Sequence, residues 1–567
     1  MFAGVYCRSR DHGLDSGECA QLKAALSRFP GERVEVIERP GLFVAVASLG
    51  VYPAERIQTS PSEDFFLTAG DPLTDGGTSG SLLPVVGGDL AILKRCRGTY
   101  SGLGFQVGDH RLVLVSDRLG VRPIYYTIRG RFVYFATALR MLEACRFLRL
   151  TVDLRGAIES ATFGYSMADR TPYAWVRRIG AAEVVSFKPQ TTVTSNYFRW
   201  TDLPAQDPVD RAGMEELTAR FDEAVALRLR GRREADAFLS GGLDSRCIVA
   251  ALLKAGARVR TYNASWEGSV DKVVGRLFAE RAGTDHTEIP LPEDAFGDAW
   301  PQLISGALRP HGSETTPGGA VAWSGDGGSV GVGRVHLDAA MVELLRAEDI
   351  PGALQAFFAE NPTGAPVGAS HRSLRDRVRE IPRDSVRAEL LGIDTEDRGQ
   401  SFFLFLLLND QRRHMTQYFE DLDVNRIEYE LPFFDAEFLT RSASFRIDEC
   451  LGHRMYNRWT ESMPSAVREV PWQTYPGHEP GPIPMPSSAT PQWAVPRGRR
   501  RKALRDRMKR EALELLSSEA FPDPLLDRGR MRLMFAASRT GLRDYTYAFS
   551  FGRELERYWK VAEGRYA

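Results

Sequence analysis

Along the first two hundred residues the apolar positions recur in steps of two. Residues 121–137 alternate aromatic and β-branched side chains with polar ones around an Arg129-Gly130 turn, and 181–187 and 192–200 continue in that style. This period predicts short strands. Residues 201–210 break it with two prolines among polar residues, a linker signature. From Arg211 the period lengthens. Leu217, Phe221, Ala224 and Leu227 fall on one face of an amphipathic helix. An apolar strand at 235–240, a glycine turn, a helix at 245–257, a strand at 259–265 and a helix at 273–283 come next. Strands alternating with helices predict a parallel α/β sheet. Residues 370–470 read as mostly helical and the proline-rich 472–491 as a loop. The chain divides into a β-rich domain (1–200), the linker (201–210) and an α/β domain with added helices (211–567).

Composition narrows the classes. With 43% hydrophobic and 26% charged residues in 567, the chain is globular rather than disordered, fibrous or disulfide-stapled. Lys and Arg (73) balance Asp and Glu (74), so no global charge draws it to nucleic acid or an anionic membrane. The most apolar run, 402–408, is too short to cross a bilayer, and the first ten residues lack the apolar stretch of a signal peptide. Six cysteines without a C-x-x-C pair suggest neither a zinc site nor a disulfide framework. The expectation is a reduced, cytoplasmic protein with no nucleic-acid or membrane partner.

The chemistry concentrates in Leu239-Ser240-Gly241-Gly242-Leu243-Asp244-Ser245, between an apolar strand and a helix. Small residues let backbone amides approach phosphate oxygens, and the helix start adds unpaired N–H groups and partial positive charge. Ser240 and Ser245 can donate hydroxyl hydrogen bonds, and Asp244 can hold the Mg²⁺ that accompanies a nucleotide. A bare G-G-x-D-S can equally be a helix cap; the strand–turn–helix context favours the phosphate reading. No Gly-Lys dipeptide exists for a Walker A loop, and the glycines of 325–333 do not complete G-x-G-x-x-G.

This turn resembles the pyrophosphate loop of the asparagine synthetase-type ATP pyrophosphatases. Further segments resemble that family in order. Residues 259–272 followed by 283–289 would set Ala264 near adenine and Asp271 near the site. Ser324-Gly325-Asp326-Gly327-Gly328-Ser329 resembles S-G-x-G-x-D, and Glu428 to Asp435 resembles E-x-R-V-P-F-L-D. Residues 117–126 and 135–144 resemble the amidotransferase-type glutaminase domain. The implied fold is α/β: a glutaminase-like, Ntn-type sandwich, then a parallel-sheet ATP-pyrophosphatase domain of the adenine nucleotide alpha hydrolase type. The implied cofactors are ATP and Mg²⁺.

The departures from the family pattern are informative. Glutamine-dependent members carry a nucleophilic Cys at position 2, where this chain has Phe2. Cys7 cannot use its own α-amine as base, so it reads as a buried structural thiol. Loss of the ammonia source with retention of the ATP site resembles β-lactam synthetases and, more, lasso-peptide cyclases. The turn at 324–329 lacks the β-lactam synthetase Tyr at Asp326, and 470–478 (VPWQTYPGH) resembles a segment of actinobacterial lasso cyclases; a packed lid is the equal alternative. The family's second metal-binding Asp falls on Ser329, a poorer ligand for a hard cation. Asp326 could take over the metal, orient the attacking amine with Glu428, or be an ordinary turn residue. The family's late catalytic Lys falls on Arg530, which supplies charge but no transferable proton. Residues 497–510 hold nine Lys and Arg, read first as a solvated helix face, with pyrophosphate stabilisation, acidic-peptide docking or, last for want of interleaved aromatics, a nucleic-acid patch as alternatives. His286 and His311 read as structural.

The resemblance implies an ATP-dependent carbon–nitrogen ligase without glutaminase activity. It would adenylate an Asp or Glu side chain of a linear core peptide and close a macrolactam with the peptide's N-terminal amine, releasing AMP and pyrophosphate. Leu239, Ser240, Gly241, Gly242, Asp244, Ser245, Ala264, Ser324 and Gly325 would bind ATP. Asp244, Asp271 and Ser329 would hold the metal, and Glu428, Asp326 and Arg530 would serve catalysis. Partners would be the precursor peptide, a leader peptidase and a leader-recognition protein. Ammonia-dependent amidation of a small acid and a non-catalytic ATP-binding scaffold are the alternative readings.

Overall fold

The computed structural model describes residues 1–10, 12–52, 56–74, 80–292, 300–308, 318–360, 367–475, 477–486, 490–491, 499–540 and 542–567. Among its described residues the N-terminal half contains twelve strands. They are β1 (Phe2–Cys7), β2 (Val34–Arg39), β3 (Leu42–Ala47), β4 (Ile57–Thr59), β5 (Phe65–Gly70) and β6 (Tyr100–Gln106). After them run β7 (Arg111–Ser116), β8 (Tyr125–Arg129), β9 (Phe132–Ala136), β10 (Val176–Arg178), β11 (Glu183–Phe187) and β12 (Thr192–Asn196). Two antiparallel sheets form, ordered β10-β8-β9-β1-β3-β2 and β12-β11-β7-β6-β5-β4.

Strand β1 shows why this half is so apolar. Its residues alternate faces. Phe2 and Tyr6 enter the core between the two sheets with Phe65, Leu103, Leu112 and Phe135. Ala3 and Val5 enter a second core under a helical layer that includes Leu22, Met141 and Ile158. On the far side, Phe66, Val113 and Val115 pack against Val85, Val86 and Leu93 of a short helical cover. The result is a two-sheet sandwich clad by helices on both sides.

After the linker comes the helix Arg211–Leu229, its N-terminus capped by Asp210 accepting from the Gly213 amide. A five-stranded parallel sheet is then built from β13 (Glu234–Phe238), β14 (Arg258–Ser265), β15 (Asp285–Pro290), β16 (Ala320–Trp323) and β17 (Ile427–Glu430). Its order is β15-β14-β13-β16-β17. The chain moves outward from β13 to β15, then crosses back to lay β16 on the other side. Beyond the carboxyl ends of β13 and β16 the following loops diverge, and that crevice is where an open α/β sheet binds ligands.

The region between β16 and the proline-rich loop is mostly helical, as its pattern predicts. It includes a π-helical turn, Leu406–Gln411, directly after the helix Arg398–Phe405. The last three helices, Arg499–Ser517, Arg528–Thr540 and Thr546–Val561, lie in the stretch that the sequence pattern assigns to the α/β domain. Their apolar residues Leu515, Met531, Phe551 and Leu555 instead join the core that holds Ala3 and Val5. Arginines bind the two halves together. Asp435, fully buried at the head of the helix Ala436–Ala443, accepts from Arg97 at 2.9 Å and from Arg228 at 2.8 Å.

Candidate nucleotide site

The turn after β13 is shaped by close backbone contacts. A Cβ on Gly241 would meet the Val270 carbonyl at 2.7 Å, and one on Gly325 would meet the Ser245 amide at 2.6 Å. Glycine at 241 lets the turn after β13 close on the start of the helix Val270–Ala282 that follows β14, and glycine at 325 lets the loop after β16 close on the turn after β13. The helix Leu243–Lys254 begins there, and Ser245 Oγ accepts from the Ser240 amide at 3.1 Å. The cleft so formed has a volume of about 490 Å³.

Most of the predicted nucleotide residues line this cleft: Leu239, Ser240, Asp244, Ser245, Ala264, Ser324 and Gly325. Asp271, Asp326 and Ser329 line it as well. Gly241 and Gly242 form the floor of the turn, the first donating its amide to Asp271 Oδ1 at 3.0 Å. Asp244 Oδ2 accepts from the Ser329 amide at 2.9 Å and hydroxyl at 2.7 Å, while Tyr456 donates to Oδ1 at 2.6 Å. Burial pushes the Asp244 carboxyl above its ordinary value, partly offset by the Tyr456 and Ser329 donors. Burial likewise raises Asp271 against the Gly241 amide.

Two desolvated carboxylates facing one cleft fit a divalent cation. Mg²⁺ is held by one or two carboxylates together with substrate phosphates and waters, and Asp244 and Asp271 supply that pair. Ser329 spends its hydroxyl hydrogen on Asp244, so it orients that carboxylate. Asp326 is held by the Ser324 hydroxyl and stands 3.6 Å from His414. Burial pushes its carboxyl up, but the His414 imidazole and Ser324 hold it below the ordinary value. Asp326 in turn raises His414 against the effect of burial.

Two predicted catalytic residues lie elsewhere. Glu428 and Glu430 share one face of β17, which turns toward the arginine-rich N-terminal half. Glu428 forms a buried ion pair with Arg122, each side chain 4% exposed, and is absent from the cleft wall. Glu430 accepts from Arg230 at 3.0 Å. Arg530 is exposed on the helix Arg528–Thr540, which packs against the N-terminal layer rather than the cleft. Neither residue lines the cleft in this structure.

Other residues carry more than their sequence context signals. Arg246 is fully buried and donates to the carbonyls of Val470 at 2.7 Å, Pro471 at 2.8 Å and Gly241 at 3.2 Å. It fastens the loop after residue 467 to the phosphate turn. Trp472 packs against that guanidinium, and Tyr475 lines the cleft, so the VPWQTYPGH segment is a packed cover. Pro476 lies outside the described residues. Gln411 and His414 reach the cleft from the π-helical turn and the helix after it; such turns often mark functional sites. His286 accompanies Thr261 Oγ1 at 2.9 Å within the sheet, and His311 lies outside the described residues. In the basic run, Lys502 and Arg505 are exposed on the helix Arg499–Ser517 and Arg507 pairs with Glu511, a solvated face; residues 497–498 lie outside the described residues. Cys7 is buried. Among the described residues no helix is long and apolar enough to cross a membrane.

Comparison with known proteins agrees with this arrangement. Residues 216–317 match the asparagine synthase family and 83–198 the glutamine amidotransferase domain. Asparagine synthetase [glutamine-hydrolyzing] 1 of Bacillus subtilis is 23% identical over 298 residues, covering 50% of this chain and 47% of that one. A putative asparagine synthetase of Mycobacterium bovis is 25% identical over 223 residues, 38% and 34% of the two chains. A solved glutamine phosphoribosylpyrophosphate amidotransferase from B. subtilis aligns at 8% identity over 58% of this chain and 77% of that one, with a TM-score of only 0.23. The matched region spans less than half the length of these curated relatives. With an amidotransferase-type antiparallel sandwich followed by a parallel sheet that carries the synthase match, the chain is similar to the asparagine synthetase-type proteins in both of its halves.

Proposed function

We propose that the protein is an ATP-dependent, AMP-forming ligase that closes a macrolactam in a linear core peptide. The observation that carries the ligase reading is the pairing of a glycine turn at a helix start with the carboxylates of Asp244 and Asp271 in one cleft. The turn amides and the Ser240 and Ser245 hydroxyls would cradle the phosphates of ATP. Mg²⁺, held by Asp244 and Asp271, would neutralise phosphate charge when bound. A substrate carboxylate attacks the α-phosphorus, pyrophosphate leaves, and an acyl-adenylate remains. The substrate's own amine then attacks the acyl carbon, AMP leaves, and one proton is lost. We assign Asp326, beside His414 on the cleft wall, to orient that amine.

Two features support an internal amine over ammonia. Phe2 stands where glutamine-dependent relatives carry their nucleophile, and its side chain is fully buried. The Arg122–Glu428 pair is a buried ion pair at the boundary between the two halves, where an ammonia route from one half to the other would have to pass. A leader peptidase and a leader-recognition protein would deliver the peptide.

The test is AMP and pyrophosphate release from Mg²⁺·ATP with linear core peptides, read together with peptide mass. AMP coupled to loss of one water from the peptide is expected, and Asp244→Ala should abolish both. AMP formation that depends on added ammonia and a free amino acid would replace this reading with asparagine synthetase-like amidation, the activity named for the curated relatives. ATP binding without AMP formation on any substrate would leave the ATP-binding scaffold, and absence of ATP binding would overturn the ligase reading.

A further inference from the structure

A second cavity, about 950 Å³, adjoins the nucleotide cleft and is roughly twice its size. Val335, His336 and Tyr475 line both. The two halves of the chain build its wall jointly. Phe163 and Tyr165 come from the N-terminal half, at the end of the helix Leu154–Phe163; Phe357, Phe402 and Leu406 come from the helical region beyond β16. The π-helical turn straddles the junction: Leu406 and Asp410 face the chamber while Gln411 faces the nucleotide cleft.

The charge of this chamber is one-sided. Asp338 and Asp410 line it, and no Lys or Arg stands among its described lining residues. Asp338 caps a helix by accepting from the Met341 amide at 3.1 Å. Asp410 accepts from Gln411 Nε2 at 2.7 Å, and among the described residues no Lys or Arg pairs with it. His336 and His478 also line the chamber; an aromatic wall beside a carboxylate that no lining Lys or Arg neutralises suits an apolar chain bearing a cation, since aromatic faces and carboxylates both attract ammonium groups. A small amino acid in the nucleotide cleft would leave such a space unfilled.

We propose that the chamber receives the amine-bearing arm of the substrate, an apolar peptide segment carrying a protonated primary amine, with Asp410 as its counter-ion. This rests on the ligase reading and adds the substrate class that the second cavity selects. The carboxylate to be activated lies in the nucleotide cleft, and the arm reaches it past Tyr475.

The experiment measures binding to the full chain without turnover. Dansylcadaverine, an aromatic primary amine, and dansylglycine, its carboxylate-bearing counterpart, are titrated by fluorescence anisotropy. The amine probe should bind about tenfold more tightly. Asp410→Asn should remove that preference, and Ala356→Trp, which fills the chamber, should weaken the amine probe about tenfold or more. Equal binding of the two probes, a preference that survives Asp410→Asn, or amine binding untouched by Ala356→Trp would overturn the proposal. If core peptides yield AMP while the amine probe fails, the chamber assignment falls alone. If the probe behaves as expected and no substrate yields AMP, the ligase reading falls and the amine site stands.

Discussion

Arg122 and Glu428, more than three hundred residues apart, form one buried ion pair across the boundary between the sandwich and the parallel sheet. The Arg122 guanidinium also lies 4.3 Å from the centre of the Phe419 ring. Removing one partner strands the other charge in a dry site. Glu428→Gln should therefore cost about 3–5 kcal/mol in denaturant unfolding, whereas Arg122→Met with Glu428→Leu should recover much of that loss. If AMP formation per folded molecule survives in the double variant, Glu428 is structural; its abolition would restore the amine-orienting role that the resemblance implies.

Gly328 lies against the carboxylate that is central to the nucleotide cleft. A Cβ there would stand 2.6 Å from Asp244 Cγ. Gly328→Ala should displace that carboxylate and lower AMP formation by about a hundredfold, because positioning errors near 1 Å carry that cost. Circular dichroism should show the fold intact, and isothermal titration should show weakened Mg²⁺·ATP binding.

Arg246 satisfies several backbone carbonyls from two distant segments. Arg246→Lys keeps a charge but replaces a planar fork with a single ammonium. Carbonyls left without donors should cost about 2–3 kcal/mol in thermal unfolding. ATP affinity should fall with it, since the guanidinium holds the turn as well as its cover; unchanged affinity would separate the two roles.

His453 gives a pH signature. It is buried, adopts a left-handed backbone conformation, and stacks on His478 at 5.0 Å. Burial, reinforced by His478, lowers its pKa from 6.5 to about 4. The unfolded chain therefore binds this proton more readily, and stability falls as pH drops from 6.5 toward 4. The contribution is at most about 3 kcal/mol. His453→Asn, which tolerates the same backbone, should flatten that slope relative to the parent protein; an identical slope would show that another group sets it.

Arg530 should be dispensable for the chemistry. It is exposed on the helix Arg528–Thr540, whose buried face packs on the N-terminal layer. Arg530→Ala should leave the rate of AMP formation within about twofold, as for surface substitutions generally. A large loss would indicate that this helix moves to the cleft during turnover.

Much of the fold was legible because its periods are pure. The two-residue alternation of 121–137 becomes β8 and β9, and the face carrying Leu217, Phe221 and Ala224 becomes the buried side of Arg211–Leu229. The glycine turn after β13 was legible because only small residues fit its close contacts. Glu428 was not, because a carboxylate on a strand shows its face only once its partner is known, and Arg122 lies in the other half. His414 was hidden behind the apolar run 402–408, where a wide helical turn changes the period. Arg246 sits at an ordinary helical position and acquires its role from carbonyls more than two hundred residues away.

The parallel sheet has a kinetic consequence. Strand β16 pairs with β13 and β17, drawn from 234–238, 320–323 and 427–430. Ser329 and Tyr456 meet Asp244 only after those distant segments have docked. Non-local pairing of this kind is slow to nucleate, so the cleft cannot template early folding and exists only in the finished sheet. During synthesis one edge of β13 stays open to wrong partners until residues 320–323 dock as β16, and Asp244 gains its last donor only once the chain has passed Tyr456.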